Sequence, residues 1–364
     1  MFTGLKELTD SFLDKGVPGF DCILMKDGKQ IFRNMGGYRD PEKTQPIDGT
    51  ERYNVYSATK MITCTAALQL WERGLFSFED LLSDYLPEFQ HMTVRQGEIV
   101  IPAKKQIRIK HLFEMTAGFS YNTGSPALLE MKQATQGRCP TREAIRALAK
   151  EPLLFEPGTR WEYSLGHDVL AALVAELSGM SYGEYVRQNI FLPLGMNNTA
   201  IGCPDEMLDT LTPLYYHDAA TGMAKCLGRT DYARLNFGPE FQSGGAGCIS
   251  TVEDFIKFLE ALRIGDVILK KETIDMMATD RLSQEQRRTY WWGYRSGYGL
   301  GVQCPKAGTD DTFFGWSGAA GAEPLVDREH GVTFFYARHI TGLNNDYFND
   351  AMVAELKKLI PQLM

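Results

Sequence analysis

No stretch of this sequence is apolar for long enough to span a lipid bilayer, and its first ten residues lack the apolar centre of a signal peptide. Lysine and arginine form no block, and the net charge is −8, which does not suit a phosphate backbone or an anionic membrane surface as a partner. Internal repeats and low-complexity tracts are also missing. These absences predict a cytoplasmic protein that binds neither nucleic acid nor membranes.

Cysteine is scarce and scattered. The seven cysteines are odd in number and include no C-x-x-C pair, which argues against a disulfide framework and against a zinc site. They are predicted to be reduced residues that fill space, and we expect neither a metal nor a cofactor. The chain has 364 residues, of which 44% are hydrophobic and 23% charged, as is typical of a globular protein with a substantial core. Two lobes are expected.

The predicted elements run in the order helix, strands, a long helical stretch, strands and a closing helix. Asp27-Gly28 separates two short apolar runs, as in a β-hairpin with a tight turn. Later strand signals lie at 244–249, 299–303, 312–316 and 332–337. The sequence therefore predicts an α+β fold in which an antiparallel sheet is flanked by helices. Residues 1–73 and 240–364 would form one lobe, and residues 74–239 an all-helical lobe.

Ser57 and Lys60 lie one helical turn apart in an apolar segment that continues to Trp71. A serine hydroxyl needs a base to become a nucleophile, and burial makes a lysine more ready to lose its proton and act as that base. Ser-x-x-Lys alone is weak evidence, because an N-terminal serine and a solvated lysine give the same pattern. The segment nevertheless predicts a buried helix that carries both groups.

Two further segments carry polar chemistry. In 156–168, a turn delivers Tyr163 to the start of a helix, where a phenol can relay a proton between a serine and a lysine. In 314–321, small residues follow a predicted strand, where backbone N–H groups can face a developing oxyanion. A packed loop tyrosine and a sheet edge with glycines for close contact are the plainer interpretations of these two segments.

In this order, the three segments resemble those of the serine β-lactamase and penicillin-binding-protein superfamily, and the resemblance runs over nearly the whole chain. Residues 109–120, 190–199 and 244–255 are similar to further segments of that superfamily. The resemblance implies a β-lactamase/transpeptidase-like fold with its site in a cleft between the two lobes. It also implies that Ser57 is the acylated nucleophile, that Lys60 and Tyr163 transfer the proton, and that the N–H groups of Ser57 and Ala319 form the oxyanion hole.

Two positions depart from the members that act on β-lactams or peptides. Those members usually have Asn two residues after the tyrosine and Lys or His at the start of the third motif, where this chain has Leu165 and Trp316. In both respects the chain looks most like the family VIII carboxylesterases. Leu165, Trp316, Ser317 and Gly318 are the expected substrate-binding residues. Neither Leu165 nor Trp316 can pair with a carboxylate, so a small ester is the expected substrate. If the substrate carried a carboxylate, Arg338 is the one cation suggested to pair with it.

Several other interpretations stay open at this stage. A β-lactamase, a D-amino-acid peptidase or amidase, an acyltransferase or a silent binding protein would have the same fold. An α/β-hydrolase with Ser317 as its nucleophile would need Asp327 with His330 or His339, but too little chain remains for its sheet. Metal sites at His167-Asp168 or His217-Asp218 lack a second histidine at ligand spacing. Trp291, Trp292 and Tyr294 would wall an acyl pocket or pack in a core. The oligomeric state is not predicted.

Overall fold

The computed structural model describes residues 1–229 and 237–364. The helices in these residues are α1 Thr3–Ser11, α2 Thr59–Glu72, α3 Ile109–Phe113, α4 Pro126–Ala134, α5 Thr141–Leu148, α6 Gly166–Ser178, α7 Tyr182–Val186, α8 Val252–Ile264, α9 Lys271–Met277, α10 Gln284–Arg287 and α11 Asn345–Leu363. The strands are β1 Gly19–Lys26, β2 Lys29–Gly37, β3 Tyr53–Asn54, β4 Thr93–Gln96, β5 Ile99–Pro102, β6 Ala200–Ile201, β7 Leu214–Asp218, β8 Met223–Gly228, β9 Cys248–Ser250, β10 Gly297–Tyr298, β11 Gln303–Cys304, β12 Glu323–Asp327, β13 Val332–Arg338 and β14 Ile340–Thr341. The predicted α+β fold is confirmed.

The main sheet is antiparallel, with the strand order β12-β13-β1-β2, so both ends of the chain build it. The predicted hairpin joins β1 to β2, and Lys26 pairs with Lys29 across the turn. Asp27 and Gly28 have φ of 50° and 80°, the left-handed conformation that a two-residue hairpin requires and that this dipeptide tolerates. Local turn chemistry therefore sets the register of this edge of the sheet.

Helices cover both faces of the main sheet. Phe334 and Tyr336 of β13 face a core shared with Phe12 next to α1 and with Met352 of α11, because alternate residues of a strand point to opposite faces. Phe335 of the same strand points the other way and stacks on Phe255 of α8 at 4.5 Å between ring centroids. The first and last helices thus close one face, and α8 closes the other.

Helix α2 lies at the centre of the molecule. All its residues from Thr59 to Leu70 are buried, as predicted from the apolar residues around its circumference. It packs mainly against α6. A fully enclosed helix cannot rotate or shift without disturbing its neighbours, so it forms a rigid base for the side chains at its N-terminus.

The segment predicted to be all helical contains strands as well. Hairpins β4-β5 and β7-β8 lie within 74–239, and β6 and β7 pair with β9 and β14 from the other predicted lobe. The prediction was wrong here because these are short strands that pair over long sequence distances, which leave little periodic signal. The division into 1–73 with 240–364 and 74–239 stays a prediction. Residues 230–236 of the predicted insertion lie outside the described residues.

Two predicted strands are shorter than expected. The 299–303 signal corresponds to a turn between β10 and β11, where Gly301 has φ of 75°, and the 312–316 signal gives isolated bridges at Phe314 and Gly315. Both stretches are rich in glycine, which favours turns over regular pairing. Within 1–229 and 237–364, none of the helices combines the length and the apolar character needed to cross a lipid bilayer.

Candidate active site

Ser57 lies in a 3₁₀ turn, Tyr56–Ala58, that leads directly into α2. The sequence predicted one helix carrying both Ser57 and Lys60, whereas the structure tightens its first turn. Strand β3 delivers the chain to this turn, and the N–H of Val55 donates to the carbonyl of Cys248 at 3.1 Å. Tyr56 has φ of 44°, a conformation that is rare outside glycine and that concentrates at functional sites. The entry to α2 therefore fixes the backbone of Ser57.

The side chains of Ser57, Lys60 and Tyr163 meet in one hydrogen-bonded chain. The hydroxyl groups of Ser57 and Tyr163 share a hydrogen bond. The side-chain nitrogen of Lys60 donates to the phenol oxygen of Tyr163 at 2.7 Å and to the carbonyl of Gly245 at 2.6 Å. Lys60 is fully buried. Tyr163 thus lies between nucleophile and lysine, an order that allows a proton to pass from Ser57 towards Lys60 through the phenol.

Aromatic rings hold Tyr163 in place on both sides. Tyr121 stacks on Tyr163 with ring centroids 5.1 Å apart and planes 23° apart. Trp316 lies on the other side at 6.0 Å with an 18° angle between the planes. Burial raises the pKa of the Tyr121 phenol, and the neighbouring Tyr163 adds to this effect, so Tyr121 stays protonated. Stacking leaves the phenol oxygen of Tyr163 aimed at Ser57 and Lys60.

The loop after Trp316 brings Ala319 beside Ser57. The N–H of Gly318 donates to the carbonyl of Ala322 at 2.7 Å, and the N–H of Gly321 donates to the carbonyl of Gly318 at 2.9 Å. A Cβ on Gly318 would lie 2.2 Å from the carbonyl oxygen of Val55, so only glycine lets this loop approach the Ser57 turn. The loop therefore packs directly against the backbone that carries the serine.

A cavity of about 270 Å³ opens over Ser57. Six of the predicted site residues line it: Ser57, Tyr163, Trp316, Ser317, Gly318 and Ala319. The sequence did not predict the other residues of its lining, which are Tyr56, Tyr121, Ala246, Asn345 and Asp346, while Trp291 and Trp292 had been left open between pocket and core. Tyr121 follows the motif-like stretch 109–120 directly, which was the one available signal. Asn345 and Asp346 start α11 and reach the cavity only through the fold.

Leu165 does not line the cavity, so its predicted contact with the substrate is wrong. It is the residue just before α6, is 5% exposed and belongs to the hydrophobic core. Only Ser164 separates it from Tyr163, and over that distance the chain turns from the cavity into α6, the helix that packs on α2. Tyr294 also lies away from the cavity, with 75% of its surface exposed.

Arg338 does not reach the cavity either. Its side chain is 1% exposed, and its guanidinium lies 3.9 Å from the centre of the Phe348 ring and donates to the side-chain oxygen of Asn345 at 2.6 Å. The amide nitrogen of Asn345 in turn donates to the carbonyl of Ala319 at 3.1 Å. Arg338 therefore supports the loop of Ala319 from behind and is not available to a substrate carboxylate.

The histidines of the alternative hypotheses lie elsewhere. His330 contacts Asp327 at 2.8 Å, at the far end of β12 from Ser317. His339 hydrogen-bonds to Thr212 at 2.7 Å and is buried, and burial lowers its pKa to about 4. Neither histidine lines the cavity with Ser317. Ser317 thus has no assembled triad, which removes the α/β-hydrolase interpretation.

A larger cleft, of about 870 Å³, lies away from these residues, beside α3 and α10. Two ion pairs lie in its lining: Lys110 contacts Glu79 at 2.7 Å, and Arg281 contacts Glu114 at 3.2 Å. Size alone does not make this cleft a catalytic site, because it contains neither Ser57 nor Tyr163.

The chain resembles known proteins along most of its length. A family model described as Beta-lactamase matches residues 5–357. Esterase EstB of Burkholderia gladioli is 26% identical over 346 residues, which cover 88% of this chain and 85% of EstB. Acyltransferase calJ of Penicillium decumbens is 28% identical over 355 residues, which cover 87% of this chain and 82% of calJ. The solved structure of EstCE1, a hydrolase with promiscuous acyltransferase activity, has the same fold, with a TM-score of 0.79 and 23% identity over 96% of this chain and 97% of EstCE1.

Proposed function

Because the chain belongs to the beta-lactamase family and is a serine hydrolase, we propose that it is a carboxylesterase that acts on small, uncharged esters through an acyl-enzyme on Ser57. The observation that carries the proposal is the hydrogen-bonded chain of Ser57, Tyr163 and Lys60 at the base of an aromatic cavity. A relative named an esterase, which matches 88% of this chain, supports it.

The proposed mechanism uses Tyr163 as the group that exchanges a proton with Ser57. The phenol oxygen of Tyr163 accepts the proton of Ser57 while the phenol proton moves to the amine of Lys60, and the Ser57 oxygen attacks the ester carbonyl. The N–H groups of Ser57 and Ala319 stabilise the negative charge that develops on the carbonyl oxygen. The leaving alcohol takes the proton back, and a water molecule then repeats these steps to release the acid from Ser57.

The charge and shape of the cavity favour an uncharged ester. Tyr121, Tyr163, Trp291, Trp292 and Trp316 supply its aromatic walls. Among the described residues, the one charged side chain that lines it is Asp346, which would repel a carboxylate. A β-lactam or a peptide carries a carboxylate, which would bind less favourably here, whereas a neutral ester has no charge to be repelled or left unpaired.

The test compares substrates and nucleophile variants. We expect kcat/KM for a short-chain aryl ester to exceed that for a cephalosporin or D-phenylalanine amide by about 10²-fold or more, and Trp316→Lys to narrow the gap to the cephalosporin. Ser57→Ala should abolish turnover and covalent labelling by a fluorophosphonate. Ser317→Ala is the matched control, since Ser317 lines the same cavity, and it should keep the label on the Ser57 peptide. Equal efficiency on ester and cephalosporin, or labelling of Ser317, would refute the proposal.

Acyl transfer to an alcohol is the second candidate function, because a relative that covers 87% of this chain is named an acyltransferase. The same acyl-enzyme serves both reactions, and the acceptor decides between them. With an aryl ester as donor and a primary alcohol at increasing concentration, mass spectrometry should detect mainly free acid if the protein is an esterase. A new ester that exceeds the acid at millimolar alcohol would favour the transferase.

A further inference from the structure

Lys60 depends on a backbone turn for its position. Its side-chain nitrogen donates to the carbonyl of Gly245 at 2.6 Å, and the hydroxyl of Thr63, one turn further along α2, donates to the carbonyl of Gly244 at 2.6 Å. These two carbonyls belong to the turn that precedes β9. The direction of the Lys60 nitrogen towards Tyr163 is therefore set partly by where this turn lies.

Asp168 of α6 holds the same turn from its other side. One carboxylate oxygen accepts hydrogen bonds from the hydroxyl of Ser243 at 2.6 Å and from the N–H of Gly245 at 3.2 Å. The Ser243 oxygen accepts the N–H of Ala246 at 3.0 Å. A Cβ on Gly245 would lie 2.8 Å from the other Asp168 oxygen, so the contact is close. Gly245 is thus tied by its N–H to Asp168 and by its carbonyl to Lys60.

The surroundings of Lys60 contain few charges. Tyr163 and Tyr121 face it from two loops, Cys64 from its own helix, and His167 and Asp168 from α6. Burial lowers the pKa of His167 and raises the pKa of Cys64, so both stay neutral. Burial also raises the pKa of Asp168, while the Ser243 hydroxyl and the charge of Lys60 oppose that effect. Asp168 is the carboxylate in this group.

We infer that Asp168 is a positioning residue for Lys60, which it orients through the Gly245 turn. The inference rests on the proposed function, because it concerns the same proton-transfer pair. Its consequence for the reaction is geometric: while Asp168 holds the turn, the Lys60 nitrogen stays in hydrogen-bond contact with the Tyr163 oxygen.

The test compares Asp168→Ala, which removes both hydrogen bonds to the turn, with Asp168→Asn, which keeps the size of the side chain and an oxygen acceptor for them. The readout is the rate of Ser57 labelling by a fluorophosphonate between pH 5 and pH 10, which needs no knowledge of the natural substrate. We expect Asp168→Ala to lower the plateau rate on the order of 10-fold, because Lys60 is no longer held towards Tyr163. We expect Asp168→Asn to recover most of the parent rate, because it retains the acceptor.

Two further variants separate the position of the turn from general stability. Asp254→Ala removes another buried carboxyl group, which accepts the N–H of Asn198 at 2.6 Å and contacts Lys257 at 2.8 Å on α8, and it should lower Tm without lowering the plateau rate. Ser243→Ala removes one support of the turn but keeps Asp168, so it should lower the plateau rate by less than Asp168→Ala does.

A folded Asp168→Ala variant with the plateau rate of the parent would overturn the inference, and so would a folded Asp168→Asn variant that is labelled as slowly as Asp168→Ala. If Asp168→Ala does not fold, a Ser243→Ala variant with an unchanged plateau rate would overturn it. A parent protein that is not labelled on Ser57 at any pH would instead refute the proposed function.

Discussion

At the scale of single residues, Tyr163 is the shared hydrogen-bond partner of Ser57 and Lys60. Tyr163→Phe keeps the ring that stacks on Tyr121 and Trp316 but removes the oxygen that joins the nucleophile to the lysine. We predict that kcat/KM for an aryl ester falls about 10²- to 10⁴-fold, because a general acid–base group typically contributes that factor to the rate. We expect Tm to change little. Tyr121→Phe is the control and should lose less than about 10-fold. Full activity of Tyr163→Phe would exclude the relay.

A second prediction at this scale concerns Glu323, the buried first residue of β12. Burial raises the pKa of its carboxyl from 4.5 to about 8, and the charge of Arg338 only partly opposes this. The folded state therefore holds a proton that the unfolded state has lost between these pH values. The stability that this proton gives is fully present below pH 4.5 and is lost as the pH rises towards 8.

Glu323→Gln cannot ionise, so its free energy of unfolding should not show this loss. Between pH 5 and pH 9, we predict that the free energy of unfolding of the parent falls by on the order of a few kcal/mol more than that of the variant. Urea unfolding at each pH measures both. Glu98→Gln, at an exposed position, serves as the control and should follow the parent. Parallel pH dependences of Glu323→Gln and the parent would contradict the prediction.

At the scale of elements, the N-terminus of α11 supports the loop that carries Ala319. Asn345 bridges two parts of the molecule, since its oxygen accepts from Arg338 and its nitrogen donates to the carbonyls of Ala319 and Gly318 at 3.1 and 3.4 Å. The residue before it, Asn344, caps the helix by accepting the N–H of Tyr347. Asn345 thus contacts the loop of the site, whereas Asn344 only caps the helix, so alanine variants of the two can be compared directly.

Asn345→Ala should reduce kcat on an aryl ester by about 10-fold or more, because the N–H of Ala319 is no longer held towards the developing oxyanion. Asn344→Ala should instead lower the free energy of unfolding by about 0.5–2 kcal/mol through loss of the cap, with kcat nearly unchanged. Steady-state kinetics and urea unfolding of both variants measure the two effects. A fall in kcat for Asn344→Ala, together with an unchanged kcat for Asn345→Ala, would be inconsistent with the structure.

At the scale of the whole molecule, the two chain ends and the site belong to one packed unit. Strands β1 and β13, which are far apart in sequence, pair along seven positions from Phe20–Arg338 to Lys26–Val332. Helices α1 and α11 then cover that pair. Ser57 lies between this sheet and the helices α6 and α7, so loss of the terminal helix should disturb a site to which most of α11 makes no contact.

Leu356→Ala tests this coupling, because Leu356 of α11 is 1% exposed and far along the helix from Asn345. The cavity left behind should cost about 2–5 kcal/mol of unfolding free energy. We predict that tryptophan fluorescence and the loss of Ser57 labelling follow one shared urea transition at a lower midpoint than in the parent. Labelling that survives well beyond the fluorescence transition would show that the site unfolds separately from the terminal helix.

The sequence by itself determined the features that depend on local chemistry and on motif order. The apolar circumference of α2 predicted its burial, and Asp27-Gly28 predicted the β1–β2 turn. The ordered motifs were enough to predict the family and the α+β fold, and they pointed to Ser57, Lys60 and Tyr163 as the reacting groups.

Only the tertiary structure decided which side chains surround those groups. It places Leu165 in the core and Arg338 behind the Ala319 loop. It also brings in Asp168 and Asn345, neither of which was predicted to support the reacting groups. The reason is physical: Ser57 and Tyr163 are 106 residues apart in sequence, and Lys60 and Gly245 are 185 apart. Contacts over such distances depend on how α2, α6 and the strands pack together. The residues close to each group in sequence do not predict that packing.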